Sequence, residues 1–297
     1  MRFSIIVTIY DRIEFINKAI DSLENQNFMD FEVIIVTNIK INVNQKYRVI
    51  ITEKKYLSDK IRIGINNANG DILCFLEDDD LFHENKLSII NSYYLKGYKF
   101  VHNGLIAIDQ EGNKISEKIN IPAFNLSSIS ISRDIIELEK IPENINIGMD
   151  VMMEAMAIKH KHIDIDDPLT YYRISGKNLT IGKSNLEGFI KNNIIIYSDT
   201  EHSLNIILNE FNGCSKEYVQ LFLDLSVYAR LIMSAKRKGI FKISKNILKN
   251  KYFKRNFKTI MVFTLGSFFH YLNPKFIRKY MFKRSKNHII HNLDFVI

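Results

Sequence analysis

The stretch that decides the fold is residues 71–80, which read Asp71-Ile72-Leu73-Cys74-Phe75-Leu76-Glu77-Asp78-Asp79-Asp80. An apolar run of strand length passes directly into four acidic residues, Glu77 to Asp80. In an open parallel sheet, ligands bind where the carboxyl ends of the strands meet loops and helix N-termini. The acidic quartet is therefore a candidate binding site at the end of a buried strand.

The sequence around this stretch alternates between strand and helix patterns. Continuous apolar runs indicate strands that are covered on both faces, and apolar residues at helical spacing indicate helices between them. We place the end of the second helix at Gly70, a usual stop position. The alternation predicts an α/β domain with a mostly parallel sheet. The predicted strands cover residues 3–9, 31–36, 47–51 and 71–76, and the predicted helices cover residues 14–23 and 58–69.

Beyond residue 100 the pattern becomes looser and then almost entirely helical. Strands are predicted over residues 99–108 and 115–121, a helix over 149–158, and further helices over 186–211, 216–237 and 257–282. A natural boundary lies near residues 181–185. We therefore predict one domain over residues 1–182 and a helical region over residues 183–297.

Composition excludes several classes of protein. With 46% hydrophobic residues, only 12 Gly and 4 Pro, the 297-residue chain is neither disordered nor collagen-like. Its two cysteines cannot form a disulfide framework and suggest a reducing compartment. The N-terminal apolar run is too short for a signal peptide. We therefore expect a cytoplasmic protein whose mature chain begins at Met1.

The net charge of +8 is unevenly distributed along the chain. Residues 201–297 hold 18 Lys and Arg against 5 Asp and Glu, a net charge of +13, which leaves −5 for residues 1–200. The two parts are expected to face different partners.

Two interpretations of the acidic quartet remain open on the sequence alone. Oxygen ligands without neighbouring His or Cys suit a hard divalent cation, Mg²⁺ or Mn²⁺. Alternatively, the quartet is a solvated acidic turn that caps a helix beginning near residues 83–85. Because the quartet directly follows a buried strand, we favour the metal site.

Five blocks of sequence stand out by their order and spacing. They are Ser4 to Arg12, Ser22 to Gln26, Phe31 to Val36, Leu57 to Asp71 and Phe75 to Asp80. Together they resemble the family-two inverting glycosyltransferases of GT-A fold, and the resemblance covers roughly the first 180 residues. It implies an α/β, Rossmann-like domain of GT-A fold followed by the helical region.

The resemblance implies a site for a nucleotide-sugar donor. Thr8, Tyr10 and Asp11 fall where the family holds the base and ribose. The end of the second strand, Thr37-Asn38, falls where the family usually carries a base-reading aspartate, and Asn38 can still donate and accept hydrogen bonds there. Lys60 and Arg62 fall in the segment that approaches the nucleotide, where cations would favour a diphosphate.

The family's DXD motif maps onto Glu77-Asp78-Asp79, with Glu77 in place of the usual first aspartate. The resemblance implies that Asp79 is the principal ligand of Mg²⁺ or Mn²⁺. Asp78 takes the ribose contact in place of Glu77, and Asp80 is a second metal ligand or a helix cap.

The resemblance also implies a general base that takes the proton from the acceptor hydroxyl. Asp150, which precedes an apolar helical stretch, matches its position, although Met149 replaces the usual acid. The alternative is that Asp150 is an N-cap residue. Further on, residues 172–178 resemble the loop that closes near the diphosphate. Arg173 and Lys177 are candidate phosphate contacts or merely solvated cations.

These features predict a metal-dependent inverting glycosyltransferase that moves a sugar from a nucleotide-diphosphate donor to a hydroxyl of a glycan or lipid-linked acceptor. The alternative is a catalytically degenerate nucleotide-sugar-binding or scaffold protein of the same fold. That alternative is suggested by Thr37, Met149 and Ser175, which stand where the family carries acidic or His residues.

The basic helical region combines aromatic and aliphatic residues with Lys and Arg, and it has two open interpretations. It forms an interfacial helix on an anionic leaflet, which would make the protein peripheral on the inner face of the cell membrane. Otherwise it forms a helical bundle with a solvated basic rim. Nucleic acid is disfavoured as a partner because no binding motif is present. The apolar run over residues 259–271 is shorter than the ~20 residues that a spanning helix needs.

Overall fold

The computed structural model describes residues 1–10, 12–115, 125–174, 185–253 and 257–287. The chain divides into two compact units, Met1–Ser175 and Gly176–Ile297. Most of the proposed boundary near residues 181–185 falls in 175–184, outside the described residues. The division into residues 1–182 and 183–297 therefore stays a prediction.

The first unit alternates strands and helices in the order that the sequence predicts for its first hundred residues. Its helices are α1 (Ile13–Glu24), α2 (Leu57–Asn66), α3 (Lys86–Tyr94) and α4 (Met149–Ala157). Its strands are β1 (Phe3–Ile9), β2 (Phe31–Thr37), β3 (Arg48–Ile51), β4 (Ile72–Glu77), β5 (Leu81–Phe82), β6 (Phe100–Ile108), β7 (Ile129–Ser132) and β8 (His162–Arg173).

The strands form one eight-stranded sheet in the order β3-β2-β1-β4-β7-β6-β8-β5. Strand β1 is parallel to both β2 and β4, and β2 is parallel to β3. Strand β7 is antiparallel to β4 and β6, and β5 is antiparallel to β8. The α/β prediction is confirmed, and the antiparallel strands make the sheet mixed. All seven residues of β1 are buried, as expected for a central strand covered on both faces.

Three strands, β5, β7 and β8, were not anticipated from the sequence pattern. Strand β7 is only four residues long, and β8 begins with alternating polar residues and contains Pro168. Such patterns lack the continuous apolar run that marks a buried parallel strand. Of the predicted strand over residues 115–121, all but Ile115 lies outside the described residues.

The predicted end of α2 at Gly70 is wrong. The helix ends at Asn66, and Asn67 is its C-cap. Gly70 instead lies directly against β1, where a Cβ atom would come within 2.6 Å of the Phe3 carbonyl carbon and of the Ser4 amide nitrogen. Its N–H donates a hydrogen bond to Ser4 Oγ at 2.8 Å. Close approach of two backbones, rather than helix termination, requires glycine here.

Replacing Gly70 with alanine is expected to destabilise the fold. The added methyl group would overlap backbone atoms that cannot rotate away, so β1 or the turn must shift, at a cost of about 1–3 kcal/mol. Chemical denaturation of the wild type and of Gly70→Ala measures this difference. An unchanged free energy of unfolding would contradict the close approach.

The second unit is helical in every element that the structure describes. Its helices are α5 (Leu186–Asn209), α6 (Gly213–Met233), α7 (Ile240–Lys249), α8 (Phe257–Leu272) and α9 (Pro274–Asn287). The long helix predicted over residues 257–282 is two helices, because Pro274 lacks the N–H that would continue α8. Helix α7 was not predicted separately. Within the described residues, no helix combines the length and the apolar character needed to cross a membrane.

Candidate functional site

The acidic quartet lies at the carboxyl end of β4. Glu77 is the last residue of that strand, and Thr8 of β1 is its neighbour in the parallel register. Asp78, Asp79 and Asp80 follow, and each is at most 3% exposed. A solvated acidic turn is therefore the wrong interpretation, since these carboxylates are withdrawn from water.

A cation that the sequence analysis did not select holds two of the four acids. Arg12 Nη2 lies 2.5 Å from Asp78 Oδ1, and Arg12 Nη1 pairs with Asp79 Oδ2. The second Asp78 oxygen accepts the Tyr10 N–H at 2.9 Å. Arg12 lies just after the end of β1, and β1 is the neighbour of β4 in the sheet. A basic residue at that position was the only sequence signal for an ion pair with the quartet.

Asp80 has different partners, all supplied by the protein. Its Oδ2 accepts a hydrogen bond from Asn125 Nδ2 at 2.6 Å, and its Oδ1 accepts the Arg173 N–H at 3.0 Å. The helix-cap interpretation of Asp80 is wrong, because the N-cap of α3 is Asn85. Asp80 thus ties the end of β4 to β8 and to the segment before β7.

Burial and mutual repulsion raise the pKa values of the quartet. Burial, with Asp80 and Asp79 nearby, raises the pKa of Glu77 well above its ordinary value. Burial and Asp80 raise the pKa of Asp79 to about 8, and burial raises that of Asp80 to about 6. Burial also raises the pKa of Asp78, against the opposing effect of Arg12. Carboxylates placed together in this way favour a cation among them.

Three of the predicted donor-binding residues meet beside the quartet. Lys60 is fully buried, and its Nζ donates to the Ile9 carbonyl oxygen at 2.6 Å and to Asn38 Oδ1 at 2.8 Å. The same Nζ lies 3.7 Å from the centre of the Tyr10 ring. Lys60 therefore connects the ends of β1 and β2, and its amine packs against one face of the Tyr10 ring.

Two further predicted donor residues, Arg62 and Thr8, make no described side-chain hydrogen bond to this group. Arg62 Nη1 donates to the carbonyl oxygen of Ile141 at 2.6 Å. Thr8 Oγ1 is buried and has no hydrogen-bond partner within the described residues. Asp11 lies outside the described residues.

Asp150 lies in the first turn of α4, and its carboxylate accepts the Val151 N–H at 2.9 Å. The N-cap residue is Gly148, with φ of 91°, so the alternative that Asp150 is the N-cap is wrong. Burial raises the pKa of Asp150. A carboxylate with a raised pKa is a stronger base once it is ionised.

The segment leading into α4 is held against the predicted donor loop. Asn146 Oδ1 accepts the Leu57 N–H at 2.9 Å and the Tyr10 hydroxyl at 3.5 Å. Asp150 is four residues beyond Asn146, so the Cα atoms of the two residues are at most ~14 Å apart. No described contact joins Asp150 to the quartet itself.

Arg173 is held by the backbone, and the expectation of an exposed, solvated cation is wrong, while its contact to phosphate stays a prediction. It is fully buried at the end of β8. Its Nε donates to the Asp79 carbonyl oxygen at 2.8 Å, and its Nη1 donates to the carbonyl oxygens of Asp109 and Gln110, also at 2.8 Å. Lys177 and Ser175 lie outside the described residues.

Lys86 is a second buried cation that the sequence analysis missed. Its Nζ donates to Ser127 O at 2.6 Å and to Asn103 Oδ1 and Thr170 Oγ1, both at 2.9 Å. Burial lowers its pKa to about 7. Ser127 Oγ in turn accepts the Glu77 N–H at 3.0 Å. Lys86 therefore holds in place Ser127, the residue that contacts the quartet. A lysine in a mostly apolar helix was the only signal of this role.

The quartet fits a hard divalent cation that takes part of its coordination from substrate. The described residues contain no group of three or more His, Cys, Asp or Glu side chains arranged to hold a metal ion. However, the guanidinium on Asp78 and Asp79 shows that this pair accepts a cation. Mg²⁺ is commonly bound through one or two carboxylates together with substrate phosphates.

The fold is a GT-A-like fold, which the chain shares with solved glycosyltransferase structures. The chain aligns with S. aureus TarS residues 1–349 in complex with UDP-GlcNAc, with a TM-score of 0.53 and 12% identity over 96% of this chain and 92% of that chain. It also aligns with the mannosyltransferase PcManGT of Pyrobaculum calidifontis in complex with GDP-Man and Mn²⁺. That alignment has a TM-score of 0.52 and 13% identity over 92% and 88% of the two chains.

Residues 4–161, more than half of the chain, match Glycosyl transferase family 2, and the chain belongs to this family. An uncharacterized glycosyltransferase of Rickettsia bellii is 25% identical over 70% of this chain and 35% of its own length. The GalNAc(5)-diNAcBac-PP-undecaprenol beta-1,3-glucosyltransferase of Campylobacter jejuni is 26% identical over 39% of this chain and 41% of its own length. The alignments thus span less than half of these relatives.

Proposed function

We propose that the chain is a metal-dependent inverting glycosyltransferase that uses a nucleotide-diphosphate sugar as donor. The observation that carries this proposal is the buried, cation-holding carboxylate pair Asp78 and Asp79, which lies beside Tyr10 at the carboxyl end of β4. The nucleotide sugars bound by the two structural neighbours support this choice of donor class.

The donor lies against the loop after β1 and the ends of β2 and β4. Tyr10 offers a ring face supported by Lys60, and Asn38 is oriented by the same amine. The hydroxyl of Thr8, which is buried and makes no hydrogen bond to the described residues, is available to the donor. Asp11, Arg62, Glu77 and Asp78 complete the proposed donor set, with Asp78 toward the ribose.

Asp79 holds the metal, Mg²⁺ or Mn²⁺, with Asp80 as the second candidate ligand. When bound, such a cation supplies Lewis-acid neutralisation of the departing diphosphate. The Mn²⁺ found with PcManGT supports this assignment. Since both oxygens of Asp80 accept hydrogen bonds from the protein, its main role is to hold the quartet in place.

Asp150 acts as the general base. It takes the proton from the acceptor hydroxyl while that oxygen attacks the anomeric carbon from the side opposite the diphosphate, which inverts the configuration. The hydrogen bond from the Tyr10 hydroxyl to Asn146, four residues before Asp150, supports this role. Its raised pKa suits a group that must receive a proton.

The acceptor is a hydroxyl of a glycan or of a lipid-linked saccharide. The name of the Campylobacter jejuni relative includes an undecaprenol-linked saccharide, which supports the lipid-linked option. A lipid-linked acceptor would place the enzyme at the cytoplasmic face of a membrane, as a peripheral protein.

An exposed apolar surface on α8 and α9 fits such a location, and we name it the aromatic face. A groove next to it is lined by Phe241 and Leu248 together with Lys245 and Lys249. Apolar side chains interleaved with lysines suit an anionic membrane surface. The aromatic face comprises Leu265, Phe268, Phe269, Leu272, Phe276 and Tyr280, all at least 44% exposed.

The full chain is expected to float with vesicles that contain phosphatidylglycerol and not with vesicles of phosphatidylcholine alone. Replacing Phe269 and Phe276 with serine should lower the bound fraction several-fold, because each aromatic contributes apolar area to the interface. Leu95→Ser, a change at a 70% exposed residue of the first unit, is the matched control. Equal flotation of all three proteins would remove the membrane proposal.

The second candidate is a non-catalytic nucleotide-sugar-binding or scaffold protein of the same fold. It is favoured by Thr37, whose hydroxyl turns back to the Ile39 backbone at 3.1 Å where the family usually has a base-reading acid. Calorimetry with Mn²⁺ and a panel of nucleotide sugars separates the candidates. A catalyst should bind one nucleotide diphosphate sugar in a metal-dependent way and consume it. Binding without turnover, or no binding, would contradict the proposed function.

A further inference from the structure

Arg12 occupies the carboxylate oxygens that a divalent cation would use. Its two Nη atoms pair with Asp78 Oδ1 and Asp79 Oδ2, and the side chains are 16%, 0% and 5% exposed, respectively. Ion pairs this sheltered from water are screened little by salt. A metal and the guanidinium would compete for the same oxygens, and two cations at that spacing would repel each other.

We propose that Arg12 is an exchangeable cation, which neutralises Asp78 and Asp79 in the donor-free site and must leave them before the metal binds. The inference rests on the proposed function, because the competing ion is the metal assigned to Asp79. Arg12 is thus a positioning residue that sets how tightly the free enzyme holds metal.

The contacts of Arg12 allow its side chain to leave the two carboxylates without any other part of the fold moving. Among the described residues, its side chain pairs with these two carboxylates. It is the N-cap residue of α1 but makes no side-chain cap hydrogen bond, so its rotation leaves the helix intact. Arg173, the other arginine at the quartet, is held by three backbone carbonyls and cannot leave without breaking the fold around it.

The site also contains a polar group that a ligand would satisfy. Thr8 Oγ1 is buried without a hydrogen-bond partner in the described part of the chain, and Thr8 neighbours Glu77 in the sheet. Buried hydroxyls are normally hydrogen-bonded. The Arg12 pairs and the Thr8 hydroxyl are therefore the groups whose contacts would change on binding.

Titration of the full-length protein with Mn²⁺, followed by the electron paramagnetic resonance signal of the free ion, tests the exchange. Arg12→Gln should bind Mn²⁺ about tenfold or more tightly than the wild type, because the competing charge-assisted bonds are gone. Arg12→Lys should fall between them, since an ammonium cannot span both carboxylates as a guanidinium does. Arg2→Gln, the same change at an exposed residue far from the quartet in sequence, is the control.

Thermal melting provides a second readout that needs no activity. Without metal, Arg12→Gln should melt below the wild type, because Asp78 and Asp79 lose their counter-ion. Mn²⁺ should raise its melting temperature more than it raises that of the wild type. If Arg12→Gln does not fold without metal, recovery of folding with Mn²⁺ supports the exchange, and Arg12→Lys supplies the affinity comparison.

Two results would overturn the inference, and only the second would also contradict the proposed function. Equal or weaker Mn²⁺ binding by Arg12→Gln and Arg12→Lys would refute the exchange while leaving the metal site. Absence of Mn²⁺ binding in every variant would refute the exchange together with the metal dependence of the proposed function.

Discussion

Asp79→Asn is expected to abolish glycosyl transfer and donor hydrolysis. The substitution keeps the shape of the side chain but removes the charge that holds the metal. Lewis-acid stabilisation of a leaving group is worth several kcal/mol, so turnover should fall by about 10³-fold or more. Steady-state release of nucleoside diphosphate, measured with saturating Mn²⁺, determines the loss.

Two comparisons make the Asp79→Asn result specific. Asp30→Asn makes the same chemical change at an exposed loop residue and should retain wild-type turnover. Circular dichroism should show that Asp79→Asn remains folded, because Arg12 still pairs with Asp78. Full activity of Asp79→Asn would remove the metal assignment.

Asp150→Asn should lose transfer while it continues to bind the donor. An amide cannot accept the proton from the acceptor hydroxyl, and a positioned general base contributes roughly 10²–10⁴-fold. Calorimetry of donor binding and turnover at saturating acceptor separate the two effects. Glu154→Gln, four residues further along α4, is the matched control and should retain transfer.

The dependence of activity on pH gives the Asp150 proposal a second signature. Burial raises the pKa of Asp150, and the base works only when it is ionised. Activity should therefore fall as the pH is lowered through a pKa above the ordinary aspartate value of about 3.8. Unchanged turnover in Asp150→Asn would refute the assignment of the base.

The parts of the fold that the sequence predicts correctly are those with local signals. Strands β1 and β4 are continuous apolar runs because both of their faces are covered. Their short length and their β-branched and aromatic residues, rather than any periodicity, distinguish them from a buried helix. The position of the acidic quartet follows from the end of β4. The resemblance to the family adds the order of the blocks and hence the GT-A fold.

The parts that the sequence does not predict depend on contacts between distant residues. Arg12 meets Asp79 across 67 positions of sequence, and Arg173 meets the Asp79 backbone across 94. Neither contact produces a periodic sequence pattern around Arg12 or Arg173 from which it could be predicted. Likewise, the sequence around Gly70 resembles a helix end, but glycine is required at this position because the backbone of β1 lies too close for a Cβ atom.

The sequence therefore predicts which residues make up the candidate site, but not the contacts that hold them in place. The sequence identifies the carboxylates, Tyr10 and Lys60, since each falls in a recognisable block. It does not reveal that Lys60 and Lys86 are buried supports or that Asp80 is held by Asn125. Those roles arise from burial, which requires a buried polar group to find partners wherever the fold brings them.

The most direct test of the central claim is the release of nucleoside diphosphate from a panel of nucleotide sugars, with and without Mn²⁺, by the wild type and by Asp79→Asn. We expect the wild type to consume one donor in the presence of Mn²⁺ and acceptor, and Asp79→Asn to consume none. Release that is independent of both Mn²⁺ and Asp79, or no release from any donor with a range of glycan and lipid-linked acceptors, would contradict a metal-dependent glycosyltransferase.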